Sequence, residues 1–158
     1  MKIIQAMPGM PSSVTDSEVK SFLENKLNMQ LATIDPDGYP VIQPVWFYHD
    51  RNTGKLYTGT DKRTKKIQNI RENPDRIYFS IDDENFPYKG VKGRGGARIL
   101  EDIQNNVTLV DKINLKYLGT LDHPLAKRLS DSARKGDEVV IEITPSFFSA
   151  WDFAKAGG

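Results

Sequence analysis

No cysteine occurs among the 158 residues of the sequence. That absence excludes disulfide frameworks, iron–sulfur clusters, thiolate zinc sites and cysteine nucleophiles. Histidine is nearly as scarce: His49 and His123 lie far apart, neither has a second histidine at helical or turn spacing, and no metal site is expected. A charge excess is also missing. Lys and Arg total 22 against 21 for Asp and Glu, a net charge of +1, which leaves no whole-molecule field to draw in nucleic acid or an anionic membrane. No apolar run approaches the length of a membrane span, and the opening segment is apolar only briefly before Pro8. The expectation is a soluble, cytoplasmic protein without a membrane partner. What is present is 38% hydrophobic and 27% charged residues, a composition that folds, at a length suited to a single domain over residues 1–158.

Hydrophobic spacing divides the chain. A Pro/Gly/Ser-rich stretch, Pro8 to Ser13, marks residues 1–14 as an N-terminal arm. Asp16 can cap a short helix carrying Val19, Phe22, Leu23 and Leu27. Met29 to Ile34 then reads as a strand, and Asp35-Pro-Asp-Gly38 as a hairpin turn into a second strand, Tyr39 to His49. Both faces of that second strand are mostly apolar, which suits a barrel interior on one side and a ligand or a second subunit on the other. Pro44 cannot donate to a sheet ladder, so a break that opens the backbone edge is expected there. Lys55 to Thr60 is a third strand, and His49, beside the turn before it, is expected at a solvated strand end. Thr64 to Asn73 reads as a helix, with Ile67 and Ile70 inward.

Arg76 to Ile81 and Lys89 to Leu100 read as further strands. The glycines of Val91-Lys-Gly-Arg-Gly-Gly-Ala97 interrupt a period-2 pattern and do not open a helix, so they mark bends or close backbone approach in a strand, not a dinucleotide loop. Helices are expected over Asn105 to Tyr117 and Pro124 to Arg134. The last sheet segment is Glu138 to Ile143, followed after Thr-Pro by Phe147 to Phe153, and 154–158 reads as a flexible tail. These segments read as a mainly β fold, a barrel of roughly six antiparallel strands with small peripheral helices.

Leu56-Tyr-Thr-Gly-Thr-Asp-Lys-Arg-Thr-Lys-Lys66 places a strand end, four basic residues and a helix start in one stretch. Helix N-termini bind phosphate through free N–H groups and the helix dipole. Thr64 adds a hydroxyl, while Lys65 and Lys66 are unfavourable to that dipole unless an anion is present. A solvated basic turn is the alternative from these residues alone.

Leu31-Ala-Thr-Ile-Asp-Pro-Asp-Gly-Tyr-Pro40, Gln43-Pro-Val-Trp-Phe47, Leu56-Tyr-Thr-Gly-Thr60, Thr64-Lys-Lys66, Val91-Lys-Gly-Arg-Gly95, Thr144-Pro145 and Trp151-Asp152 follow in an order and spacing that resembles the split-barrel flavoproteins related to pyridoxamine 5'-phosphate oxidase. The resemblance covers the chain from about Leu31 onward. It implies a homodimer with two flavin sites at the subunit interface. Residues matching Gln43, Pro44, Val45 and Trp46 would run beside the isoalloxazine, and those matching Tyr57, Thr58, Gly59 and Thr60 would flank it. Thr64, Lys65 and Lys66 would hold the phosphate of FMN, and Arg94 would reach the flavin or the substrate across the dimer. Tyr48, Tyr88, Phe147 and Trp151 are the candidate walls for a small-molecule substrate. The chain ends in Phe147-Phe-Ser-Ala-Trp-Asp-Phe153 and lacks the arginine–histidine pattern with which the vitamin oxidase itself binds its substrate, so pyridoxamine phosphate is not the expected substrate.

The function implied is an FMN-dependent oxidoreductase that moves hydride between flavin N5 and a small molecule, with the cofactor doing the chemistry. The alternative within the same fold is a reductase using the deazaflavin F420. Two readings lie further off: flavin binding without turnover, and a barrel for single-stranded nucleic acid using Lys62, Arg63, Lys65, Lys66, Lys92, Arg94 and Arg98. No catalytic side chain is identified.

Overall fold

The computed structural model describes residues 1–6 and 14–155. Its strands and helices are β1 (Ile3–Gln5), α1 (Asp16–Phe22), β2 (Met29–Ile34), β3 (Pro40–Val45), β4 (Tyr48–His49), β5 (Leu56–Asp61), α2 (Lys65–Glu72), β6 (Ile77–Asp83), β7 (Lys89–Leu100), α3 (Ile103–Leu118), α4 (Pro124–Arg134) and β8 (Glu138–Asp152). Neighbouring strands run β3-β2-β6-β7-β8-β5-β4 and are antiparallel, while β1 lies parallel to β8. The fold is mainly β, as the sequence predicts.

The sheet curls because its two ends, β3 and β4, are consecutive in sequence. Between them Trp46 and Phe47 leave the ladder. The sequence shows one strand from Tyr39 to His49; the structure breaks it in two, because the Phe47 N–H donates to the Tyr117 hydroxyl of α3 at 3.2 Å instead of to a strand. β4 then pairs with β5 only through Tyr48–Tyr57 and His49–Leu56. The other edge of Thr58–Asp61 has no strand partner among the described residues, and neither has the outer edge of β3. This gap is the split in the barrel.

The six expected strand segments thus appear as eight strands. One segment is divided, and β1 comes from the stretch read as an arm: Ile3, Ile4 and Gln5 register with Phe148, Ser149 and Ala150. Residues 7–13 of that arm, and 156–158 of the expected tail, lie outside the described residues. Ala154 and Lys155 of that tail, with Phe153 before them, form a 3-10 turn.

Helix α1 is capped by Thr15, not by Asp16. Thr15 precedes Glu18 by three residues, and a capping box results: the Glu18 N–H donates to the Thr15 hydroxyl at 3.3 Å, and the Thr15 N–H donates to the Glu18 carboxylate at 2.8 Å. Asp16 is left to pair with Lys20 one turn later. Val19, Phe22 and Leu23 enter the core with Met29, Leu31, Phe79, Val91 and Phe148, and Ile67 and Ile70 of α2 join the same cluster. Helices α3 and α4 cover the outer side of β5 and β8 through a second cluster of Tyr57, Leu109, Val110, Ala133 and Val140.

The β7 glycines mark close backbone approach. A Cβ on Gly95 would stand 2.1 Å from the Thr144 carbonyl oxygen, and one on Gly93 would stand 2.4 Å from that of Phe147. Between Arg94 and Gly95 the register with β8 shifts by a bulge, so β8 runs through Thr144–Pro145 as one strand. Among the described residues no helix is long and apolar enough to cross a membrane.

Candidate cofactor site

Strand β5 ends where α2 begins, and the tight connection folds three polar side chains together. The Lys66 ammonium donates to the Thr60 hydroxyl at 3.2 Å, the Thr60 and Thr64 hydroxyls lie 3.3 Å apart, and Thr64 donates to the Asp61 carbonyl at 3.0 Å. Thr64 is the N-cap of α2, but its side chain caps no N–H. The first-turn amides therefore carry no side-chain acceptor, as an anion site requires. Lys66 has no carboxylate within ion-pair range among the described residues. Burial pushes its ammonium below the ordinary range, partly countered by the charge of Glu138. A half-buried cation, two hydroxyls and a helix start thus converge beside the unpaired edge of β5.

The other basic residues of this stretch are turned to different uses. Lys62 pairs with Asp137 at 3.0 Å and Arg63 with Asp61, while Lys65 is exposed. Arg98 pairs with Glu142 at 2.7 Å.

Two β8 carboxylates absent from the sequence-level site lie along β5, Glu138 opposite Asp61 beside the cluster and Glu142 opposite Tyr57. They occupy one face of a strand otherwise made of Val and Ile, and that repeated interruption at i, i+4 was the available signal. Glu138 faces Gly59, where a Cβ would stand 2.9 Å from its Oε1. Burial first, then the charge of Asp61, raises its carboxyl to about 7 despite Lys66. Glu142 is buried but accepts from Lys55 at 3.0 Å, Arg98 at 2.7 Å and Tyr57 at 3.3 Å. Burial pushes its pKa up, and the bonds from Arg98 and Lys55 outweigh that and lower it.

The remaining sequence-predicted residues fall into separate places. Gln43 and Val45 face the barrel from β3, half-buried, and Pro44 is exposed on the opposite face. Trp46 stacks on Tyr117 with ring centres 4.7 Å apart and planes 3° apart. The Tyr117 hydroxyl donates to the Leu27 carbonyl at 2.7 Å while accepting from Phe47, which is how α3 fixes the break. Trp46, Gly59, Val110 and Glu138 bound a space of only about 60 Å³, too small for a tricyclic ring. Tyr57 and Thr58 are buried, the first under α3 and α4. Any ring at the β5 edge is therefore met by main chain more than by these side chains.

Arg94 lies on the outer face of β7, 5.6 Å from the Phe147 ring centre, in register with Tyr78. Trp151 covers Gly90, and Tyr88 belongs to an aromatic trio with Phe86 and Phe153. Tyr48 stacks with Tyr57 on another side of the molecule. Within one chain the four candidate substrate residues do not form one pocket. His49 is a correction: it is 5% exposed, edge-on to Phe148, and not a solvated strand end. Helix α3 and the barrel core enclose it, which no local spacing shows.

Comparison with known proteins places this geometry. The chain is 33% identical over 116 residues, 73% of its length and 72% of the relative's, to General stress protein 26 of Bacillus subtilis (strain 168). Its structure is similar to that of an F420 reductase, with 32% identity, a TM-score of 0.66 and coverage of 82% of this chain and 94% of the other. It is also similar to the conserved hypothetical protein Rv2991 from Mycobacterium tuberculosis, with a TM-score of 0.79, 24% identity and coverage of 92% and 89%. The model of the pyridoxamine 5'-phosphate oxidase family matches residues 15–152, which takes in the split, the Thr60–Thr64–Lys66 cluster and both sheet edges, and the chain belongs to that family.

Proposed function

We propose that the protein is an FMN-dependent oxidoreductase acting on a small molecule. The observation that carries this reading is the Thr60–Thr64–Lys66 cluster at the unpaired edge of β5. In it Lys66, Thr64, Thr60 and the first-turn amides of α2 hold the phosphate, with exposed Lys65 adding charge at the rim. The main chain of Thr58 and Gly59 and the edge of β3 at Gln43, Pro44 and Val45 flank the ring. The chemistry the cofactor supplies is hydride transfer at N5; the chain binds, orients and excludes water.

A second copy of the chain completes the site in this reading. The outer face of the β3-β2-β6-β7 sheet exposes Ile42 at 64% and Tyr78 at 42%, with Tyr39 at 69% exposed in the turn before β3, an apolar surface suited to burial in a homodimer. Arg94 stands on that face, which is why it serves the partner's site and not its own.

F420 is the second reading, favoured by the 32% identity to the F420 reductase. The test is to purify the protein without added cofactor, denature it, identify any released chromophore by mass, and titrate the apoprotein with FMN and with F420. FMN binding in a 1:1 ratio per chain, and turnover with a reductant, is the expected result. F420 binding alone selects the second reading; binding of neither refutes both.

A further inference from the structure

At the end of β5 away from Thr60, a second concavity opens between the end of α1, β4 and the C-terminal half of α3. It has a volume of about 500 Å³, within the range of small-molecule sites. Leu56, the register partner of His49, is four residues before Thr60, so this groove is separated from the phosphate cluster by about 13 Å of strand. Its apolar walls are Leu23, Leu115 and the ring of Tyr48. Leu115 is 48% exposed although it faces no polar partner.

The charges in the groove are unbalanced. Arg51 is matched by Glu24. Lys112 and Lys116, one turn apart on α3, have no carboxylate in ion-pair range among the described residues, and Asp50 and Glu24 act on them only from further away. Lys112 rests 5.0 Å from the centre of the Tyr48 ring, and Lys116 rests 3.5 Å from that of Phe47 while donating to the Leu23 carbonyl at 2.9 Å. An ammonium has three donors, so Lys116 keeps two to give.

His49 supplies an independent sign. It lines the same groove and is 95% buried, yet neither ring nitrogen has a hydrogen-bond partner. Buried polar side chains are nearly always satisfied, and this ring, lining the groove with both nitrogens closed to solvent, is an exception.

We propose that this groove binds a small carboxylic acid with an apolar body, its carboxylate held by Lys112 and Lys116 beside the His49 ring and its body laid against Leu23, Leu115 and Tyr48. The head is singly charged and weakly hydrated because the two ammonium groups already sit on aromatic faces. The body is apolar because three of the walls are. Neither point depends on the flavin reading, and the groove is distinct from the split.

The test is an NMR titration of the intact protein with benzoate, benzamide and inorganic phosphate, following the ring signals of His49. Benzoate shifts them saturably, while benzamide, lacking the charge, binds at least about tenfold more weakly and phosphate leaves them unmoved. Lys112→Met, which removes an exposed ammonium that makes no hydrogen bond, weakens benzoate about threefold and leaves FMN affinity unchanged. Lys112→Met combined with Lys116→Met weakens it further; if the double variant fails to fold, Lys112→Met alone decides. Absence of a saturable His49 shift, equal binding of benzoate and benzamide, tighter binding of phosphate, or loss of the benzoate shift on saturation with FMN would each overturn the proposal.

Discussion

Replacing Glu138 with Gln probes a carboxyl group that the fold holds against its preference. Its ordinary value of 4.5 is raised to about 7, by burial first and then by Asp61. The folded state therefore prefers the protonated form more than the unfolded chain does. That stabilising contribution is complete below the unfolded value and is lost as pH rises toward and through about 7. The interval from 4.5 to about 7 corresponds to at most about 3 kcal/mol. Glu138 is only half-buried, so solvent screening reduces this to about 1–2 kcal/mol. Glu138→Gln, close in shape to the protonated acid, should match the parent protein near pH 5 and exceed it by that amount at pH 8. Urea unfolding at intervals from pH 5 to 8, followed by tryptophan fluorescence, measures both curves. The variant should also bind FMN more tightly at pH 8, since an ionised Glu138 competes with phosphate for Lys66. If the two stability curves run parallel from pH 5 to 8, the carboxyl is not titrating in a desolvated position and the reasoning fails.

Lys66→Ala should weaken FMN binding by about 1.5–3 kcal/mol, the range for one charge-assisted hydrogen bond, as read by isothermal titration. Tyr117→Phe leaves the Leu27 carbonyl and the Phe47 N–H without their partner and should cost about 1–3 kcal/mol in denaturant unfolding. Gly95→Ala would drive a methyl group to 2.1 Å from the Thr144 carbonyl oxygen, a backbone atom fixed in the β7–β8 ladder, so a loss of more than about 2 kcal/mol is expected in thermal unfolding. His49, whose pKa burial lowers to about 4, should show no imidazole titration by NMR between pH 8 and 5. Its contribution to stability is present above its ordinary 6.5 and lost as pH falls toward about 4.

Local chemistry accounts for much of the fold. The helix from Pro124 to Arg134 is legible to the residue, because proline at the first position and Gly136 beyond the end are themselves the physical signals. The turn at Asp35–Gly38 is legible for the same reason: the Asp35 carboxylate accepts from the Asp37 and Tyr39 amides, a contact spanning four residues. Where reading and structure part, the deciding partner is remote. The strand from Tyr39 breaks at Phe47 because Tyr117, 70 residues later, takes its N–H. The parallel pairing of β1 depends on β8 at the far end of the chain.

The same distinction governs the site. Thr60, Thr64 and Lys66 lie within seven consecutive residues, so a strand end running into a helix brings them together whatever the rest of the chain does. Tyr57, Trp46 and His49 are aromatic residues in or beside strands, their exposure depends on where α3 comes to rest, and α3 comes to rest against all of them. Alternation within a strand tells which residues share a face, but the element that covers that face is chosen by packing some sixty residues away. A glutamate repeated at 138 and 142 in a strand of Val and Ile is the exception. It violates the period that should bury it, and a sequence tolerates that violation where the carboxylate has a partner or a task. Glu142 has its partners in Lys55, Arg98 and Tyr57. Glu138 shares its surroundings with Lys66, so the charge state of one sets how firmly the other can hold an anion.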